Sequence, residues 1–357
     1  MDGKRLEQWP RFNFNNVYHM SMKQILRDFE HKKGVHSDTT ALRDIFAFEG
    51  HRFPEELFFG IGEGLGFYYW NGRNITRPMI GGRCGNLELD RRVCEKLGAR
   101  LVIKESSSQK RARETMLSLL EAGRPVMVHT DAYYLEFLRC NTHFGAHCLV
   151  VAGVDEDTAY VADRSRDGLI ELSMGRLSEA RSSRHKPFPP QNRWFEIDVP
   201  ARIEVDPRAV MGAIGMNATE MLNSTIRNVG IGGIYYFANC VRLWEDIYGK
   251  KDLGRVCKEA HDAIEGDGIG GGCFRFLYAD FLQYASKVTG SAPLAEVSDG
   301  YRQVGTMWSQ MAKMFLEVEC GCTSLAEVSS LANTIATKEH ELQVSLMTAA
   351  NLCCRRQ

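Results

Sequence analysis

The alternation of apolar and polar positions divides the 357-residue chain into two textures. Over residues 1–200, helical periods mix with short β-rich runs. Ser37–Gly50 reads as a helix, with a polar N-cap-type start, apolar Leu42, Ile45 and Phe46 at helical spacing, and Gly50 as the stop. Leu89–Leu97 and Lys110–Leu120 have the same period, each followed by glycine (Gly98, Gly123), and Pro54–Phe59 reads as a short helix. β-Rich runs predict strands at Arg100–Ile103, Pro125–His129, His147–Gly153, Ala159–Ala162 and Leu169–Leu172. The His147 and Ala159 runs flank Asp155-Glu156-Asp157 and predict a β-hairpin.

Pro187, Pro189, Pro190 and Pro200 crowd the next stretch. Proline removes a backbone donor and restricts its neighbour, which predicts extended connecting chain, a linker near 183–206. Beyond it, Pro207–Arg227, Tyr235–Tyr248, Leu253–Glu265, Phe274–Thr289, Ala295–Leu316 and Ser324–Asn351 read as helices. The expected fold class is α+β, with an α+β domain over 1–200 and a mainly α-helical domain over 201–357.

Composition narrows the function. Hydrophobic residues make up 44% and charged residues 25%, the balance of a globular chain. Lys+Arg 44 against Asp+Glu 45 leaves no cationic excess, so no nucleic-acid partner is expected. No apolar run approaches the ~20 residues that cross a bilayer, and the N-terminus has no signal-peptide pattern. Eleven cysteines, with Cys320/Cys322 and Cys353/Cys354 as the close pairs, read as reduced thiols in a cytoplasmic protein.

Gly60–Gly66 lacks the Lys-Ser/Thr of a P-loop and does not follow a strand, so it reads as a tight turn. Gly266–Gly272 reads as a loop between helices. His143 and His147, four residues apart, would pair on a metal only from a helix face, and the following run is strand-like, so no metal is expected. A third arrangement joins distant segments. Ser37 opens a helix, where unpaired N–H groups and the dipole favour an oxyanion; His147 opens a strand as a general base; Asp163 ends the next strand and would fix the imidazole tautomer. The competing readings are an ordinary serine N-cap, a core histidine and a turn aspartate.

The chain resembles the butirosin-biosynthesis protein H family, whose N-terminal domain is grouped with papain-like cysteine peptidases. The resemblance lies in GVHSDTTALRDIFAFEG (34–50), EELFFGIGEGLGFYYW (55–70), IGGRCGN (80–86), GRPVMVHTDAYYL (123–135), HFGAHCLVVAGVD (143–155), AYVAD (159–163) and LSEARSS (177–183). The blocks GGGCFRFLYADFLQYAS (270–286) and GYRQVGTMW (300–308) resemble the helical domain that often accompanies it. The resemblance implies a papain-like N-terminal domain and acyl transfer from an acyl carrier protein thioester, or another thioester donor, to a small-molecule amine, without a cofactor. Ser37 falls at the nucleophile position, His147 at the base, with His143 as runner-up, and Asp163 at the orienting acid. Arg83, Asp131, Tyr134 and His143 fall in matched segments as pocket residues; Gln24 or His31 are guesses for a side-chain oxyanion donor. A homodimer is compatible with all of this.

One residue departs from the motif. Where the family has His-Cys, this chain has His36-Ser37, and a serine hydroxyl is far harder to ionise than a thiol. Three accounts compete: a Cys→Ser exchange made to trap an intermediate, a natural serine nucleophile, and a lineage that has left covalent catalysis. The otherwise intact motif favours the first. A thioesterase, peptidase or cyclase using the same residues, and a non-catalytic carrier- or metabolite-binding protein, are the alternatives to transfer.

Overall fold

A computed structural model describes residues 24–71, 78–85, 87–266 and 271–355. Helix α1 (Ser37–Phe48) starts where the sequence predicts and ends two residues before Gly50, and α2 (Glu55–Ile61) follows a proline at its N-cap. Next comes a two-stranded antiparallel ribbon, β2 (Leu65–Trp70) and β3 (Met79–Arg83). The large sheet is antiparallel in the order β4 (Arg100–Lys104), β9 (Trp194–Asp198), β5 (Val126–Thr130), β6 (His147–Asp155), β7 (Thr158–Ala162), β8 (Ile170–Ser173). A short β1 (Gln24–Ile25) adds to β6.

The strands β5, β6 and β7 are near-continuous apolar runs because both faces of the sheet are covered. On one face Cys148, Val150, Ala152 and Ala162 pack under α1; on the other Leu149, Val151 and Val161 meet α4 (Gln109–Glu121) and α5 (Met174–Ser182). Helix α3 (Glu88–Lys96) closes the first half.

The linker expectation needs correction. Residues 194–198 are not connecting chain but strand β9, paired with β4 along its length and with β5 at Phe195 and Trp194. The prolines misled: Pro187, Pro189, Pro190 and Pro200 all lie outside the ladder, where a missing N–H costs nothing. Between them Trp194, Phe195 and Ile197 carry the apolar signal.

From residue 207 onward the described chain is helical: α6 (Pro207–Asn223), α7 (Gly230–Val241), α8 (Trp244–Tyr248), α9 (Lys250–Glu265), α10 (Arg275–Thr289), α11 (Ala292–Val318) and α12 (Leu325–Arg355). Of the Gly266–Gly272 loop, residues 267–270 lie outside the described set. The change of texture near 200 is not a packing boundary. One core joins Leu42 and Phe46 of α1 and Phe58 of α2 to Ile214, Phe281, Tyr301 and Leu346. A second buries Phe67, Tyr69 and Ile80 of the ribbon among α7, α9, α11 and α12.

A buried ion pair fastens the ribbon to these helices. Arg275 donates Nε and Nη2 to Glu339 at 2.7 and 2.8 Å, and Nη1 to the carbonyls of Gly66, Gly82 and Cys273. Trp308 Nε1 also donates to Glu339, at 2.8 Å. Both charges are 0% exposed. Removing one partner leaves the other charge buried and uncompensated. Glu339→Ala should therefore cost about 3–5 kcal/mol of stability, measured by urea unfolding; a loss below about 1 kcal/mol, as for a surface pair, would show the pair is dispensable.

Candidate active site around Ser37

The start of α1 is set by a carboxylate from α2. Glu55 accepts the backbone N–H groups of Val35 and His36 and the hydroxyls of Thr39 and Thr40, at 2.8–3.1 Å. The chain passes so close that a Cβ on Gly34 would lie 1.9 Å from Thr40 Oγ1. The N-cap is His36, not Ser37: Thr39 N–H donates to His36 Nδ1 at 3.4 Å. Ser37 is thus the first helical residue, and among the described residues nothing accepts its backbone N–H. That N–H is free to hold an oxyanion.

The same loop is tied to the turn after β7. Gly34 N–H donates to Arg164 O and Lys33 N–H to Asp167. His31 Nε2 donates to the carbonyls of Asp163 and Arg166, while its Nδ1 lies 2.5 Å from Asp44 Oδ2. Both nitrogens face acceptors, so the ring is an imidazolium; burial opposes the charge, but Asp44 and the two carbonyls raise its pKa. With both nitrogens engaged, His31 is a fastener and not an oxyanion donor, which corrects that guess. For Gln24 the side chain lies outside the described residues.

His147 and Asp163 come together as the motif implies. His147 Nε2 donates to Asp163 Oδ2 at 2.5 Å, and Asp163 also accepts from Ser165 N–H. Burial pushes the Asp163 carboxyl up, but His147 and Ser165 outweigh it and hold it at about 2. The pair is buried, with His147 at the start of β6, against which α1 packs, and Asp163 just past the end of β7.

Ser37 itself has a partner the sequence reading missed. Its Oγ donates to Asp38 Oδ2 at 2.9 Å, and no hydrogen bond joins Ser37 to His147 or His143 among the described residues. Asp38 is ringed by donors: His36 Nε2 at 3.7 Å and His129 Nε2 at 3.6 Å, both buried and otherwise unpartnered. Burial would raise Asp38, but His129, His36 and Arg83 outweigh it and keep it ionised. Asp90, buried with neither carboxyl oxygen hydrogen-bonded among the described residues, goes the other way: burial first, then the charge of Asp38, push its carboxyl well above the usual range. The available signal was the polar run Ser37-Asp38-Thr39-Thr40 at a helix start, every residue of which is buried.

Asp38, His129 and Cys148 place one ligand-type atom each within 4.8 Å of one another, a donor set that suits zinc. The tautomer argues against it. Arg193 Nη1 lies 3.0 Å from His129 Nδ1, and a guanidinium only donates, so the ring proton sits on Nε2 and no lone pair faces the trio. The geometry fits a proton-sharing network better than a metal.

The four pocket residues fall in two places. Arg83 ends β3, and its charge is one of those that lower the Asp38 carboxyl. Asp131, Tyr134 and His143 form a separate cluster: Asp131 accepts from Ser183 Oγ at 2.6 Å, from His143 Nδ1 at 2.8 Å and from two backbone N–H groups. His143 stacks on His185 at 3.4 Å, and Tyr134 lines a cavity of about 370 Å³ with Ser183 and His185. His143 is thus committed to Asp131.

A helix opening on residue 37, packed against an antiparallel sheet that bears a buried His–Asp pair, has the layout of the papain-like class. Residues 36–164 match the family model described as butirosin biosynthesis protein H, N-terminal. Residues 175–346 match a domain of unknown function (DUF4872). A crystal structure described as a C39-like peptidase from Bacillus anthracis is similar at TM-score 0.36 and 15% identity, over 51% of this chain and 100% of that one, too distant to carry an argument. Among curated proteins none matches the chain.

His36 gives the site a pH signature. Burial lowers its pKa from 6.5 to about 3, so it is neutral when folded. The unfolded chain takes up a proton below about 6.5 that the folded chain refuses until about 3, so stability present above 6.5 falls as pH drops through that window. His36→Asn keeps a capping side chain and removes the titration. Its urea stability should fall less steeply with acid than that of the unaltered chain, by up to about 1.4 kcal/mol per pH unit; parallel curves would show that His36 does not titrate in this way.

Proposed function

We propose that the protein is an acyl- or aminoacyltransferase of specialised metabolism. An acyl group leaves a carrier-protein thioester, or another thioester donor, rests on residue 37 and passes to a small-molecule amine. The observation that carries this reading is the His147–Asp163 pair. With Nε2 committed to Asp163, Nδ1 is the nitrogen left to take a proton from a nucleophile. His147 is the general base, Asp163 holds its tautomer, and the N–H of Ser37 supports the oxyanion. The family's name, butirosin biosynthesis protein H, supports an antibiotic-type biosynthetic role.

The Ser37–Asp38 bond favours a natural serine over an exchanged cysteine. A hydroxyl donates well to a buried carboxylate, whereas a thiolate there would face an ionised neighbour. In this reading attack requires the Ser37 hydroxyl to turn from Asp38 to His147. The carbonyl carbon then gains the Oγ bond, the proton goes to His147, and the thiol leaves with it.

A thioester panel with intact-protein mass spectrometry tests the reading. Ser37→Cys should gain an acyl adduct from its donor, lost on adding hydroxylamine or the acceptor amine, faster than the unaltered chain. Adding Asp38→Asn should raise the thiolate fraction and speed acylation about tenfold further. His147→Ala in either background should abolish it. No adduct on any of these proteins would leave the fold a binding scaffold. Equal acylation of the unaltered chain and its Ser37→Cys variant would identify a serine enzyme.

A further inference from the structure

The turn between the two longest described helices, α11 and α12, carries two cysteines around one glycine, Cys320-Gly321-Cys322. Helix α11 closes in paired backbone bonds: Cys322 N–H donates to Glu317 O and Gly321 N–H to Val318 O, both at 3.1 Å. This closure needs a left-handed residue, and Gly321 supplies it at φ +71°. A Cβ there would meet nothing within 4 Å, so backbone conformation, not crowding, calls for the glycine. The reversal turns the side chains on either side of Gly321 towards each other, and the two thiols hydrogen-bond. Beyond them, Ser324 Oγ accepts Glu327 N–H at 3.2 Å while Ser324 N–H donates to Glu327 Oε2 at 2.7 Å. This reciprocal cap starts α12, so the turn is fixed at both ends.

Reactivity separates this pair from the other cysteines. Among the described residues Cys320 and Cys322 are the exposed thiols, whereas Cys94, Cys148, Cys240, Cys257 and Cys273 are buried. Burial pushes Cys94 and Cys257 up to about 12 and Cys273 up to about 11, which leaves almost no thiolate near neutral pH. At the turn the two thiols act on each other. The Cys322 thiol, then the Cys322 N–H, lower Cys320, while the same contact raises Cys322. Glu317 opposes both by its charge, and the protonated Cys320 thiol donates to the Glu317 carbonyl at 3.1 Å. Ionisation gives up that bond and gains the donors of Cys322. The first thiolate of the pair therefore forms on Cys320, in water and beside a second sulfur.

We propose that Cys320-Gly321-Cys322 is a dithiol redox site that exchanges with low-molecular-weight disulfides such as glutathione disulfide. The Cys320 thiolate attacks one sulfur of the disulfide, and the other leaves as a thiolate that takes up the proton Cys320 gave. Cys322, deprotonated in turn, attacks Cys320 Sγ and expels the second small thiol, which takes up the Cys322 proton. The oxidant is reduced to two thiols, and the two protein thiols are oxidised to one disulfide. A bond closed across a single residue, and exposed, is readily reduced again by excess thiol. The site takes no part in the chemistry at residue 37 and stands whether or not the transfer reading holds.

Mixtures of reduced and oxidised glutathione test this on the whole chain, with acid quenching, alkylation and tryptic mapping. Cleavage after Lys313 and Lys338 releases residues 314–338, in which Cys320 and Cys322 are the two cysteines. With excess glutathione disulfide this peptide should lose the mass of two hydrogens and resist alkylation. Excess reduced glutathione should restore both thiols. Cys322→Ser should stop at a glutathione adduct on Cys320. Cys320→Ala should form its adduct about threefold or more slower, since Cys322 then has no thiol beside it and no donor of its own. Both positions are exposed, so each variant should keep the melting temperature of the unaltered chain. Two free thiols under excess oxidant would overturn the proposal. So would a glutathione adduct that persists on the unaltered chain without ring closure, or equal rates for the two variants.

Discussion

The guanidinium of Arg275 is the constraint on which the two halves depend. A two-stranded ribbon is marginal on its own, because half of its backbone groups and one face lack partners. Here Arg275 takes the carbonyls of Gly66 and Gly82, one from each strand, while Glu339 and Trp308 balance it from the helices. The ribbon's inner face then completes a helical core through Phe67, Tyr69 and Ile80. A buried charge is a weak source of net stability, but it enforces one relative placement of its partners. That placement is what a site assembled from distant segments requires.

A second carboxylate does the corresponding work at residue 37. Without Glu55, the N–H groups of Val35 and His36 and the hydroxyls of Thr39 and Thr40 would be buried with fewer partners, at a cost of about 1–3 kcal/mol each. By consuming the N–H groups just before Ser37, Glu55 leaves the Ser37 N–H as the first unclaimed donor of the helix. His31, Gly34 and Lys33 meanwhile hold the loop against the turn that carries Asp163. Ser37 and Asp163 are therefore set by one hydrogen-bonded unit, although 126 positions separate them in the numbering from 37 to 163.

The elements legible in the sequence are those whose period decides them locally. Helix α1 ends where its apolar spacing ends, and the β6–β7 hairpin turns at its acidic triplet, with Glu156 in the left-handed region. Strand β9 was hidden because prolines lie on both sides of it, and proline placement relative to a ladder is a tertiary fact. The ribbon was hidden by its glycines, whose use depends on what crosses them, as the Tyr68 ring does at Gly81. At the site, the motif pointed to His147 and Asp163 because they carry its spacing. It was silent on Asp38 and His129, which meet through a strand pairing that no local pattern encodes. The helix start did give a signal, since four consecutive buried polar residues contradict an amphipathic period.

Three aspartates near the nucleophile position show how partners, not burial, decide charge. Asp163, Asp38 and Asp90 are each at most 5% exposed. Asp163 stays ionised because His147 and Ser165 donate to it, and Asp38 because Ser37 donates while two imidazoles and Arg83 face it. Among the described residues no hydrogen-bond partner reaches the Asp90 carboxyl, and its burial, with the charge of Asp38, pushes its pKa up. The two ionised carboxylates hold different partners: Asp38 accepts the Ser37 hydroxyl, and Asp163 fixes the orientation of His147. Under the proposed transfer reading, acylation at residue 37 needs that hydroxyl released from Asp38 and turned towards His147.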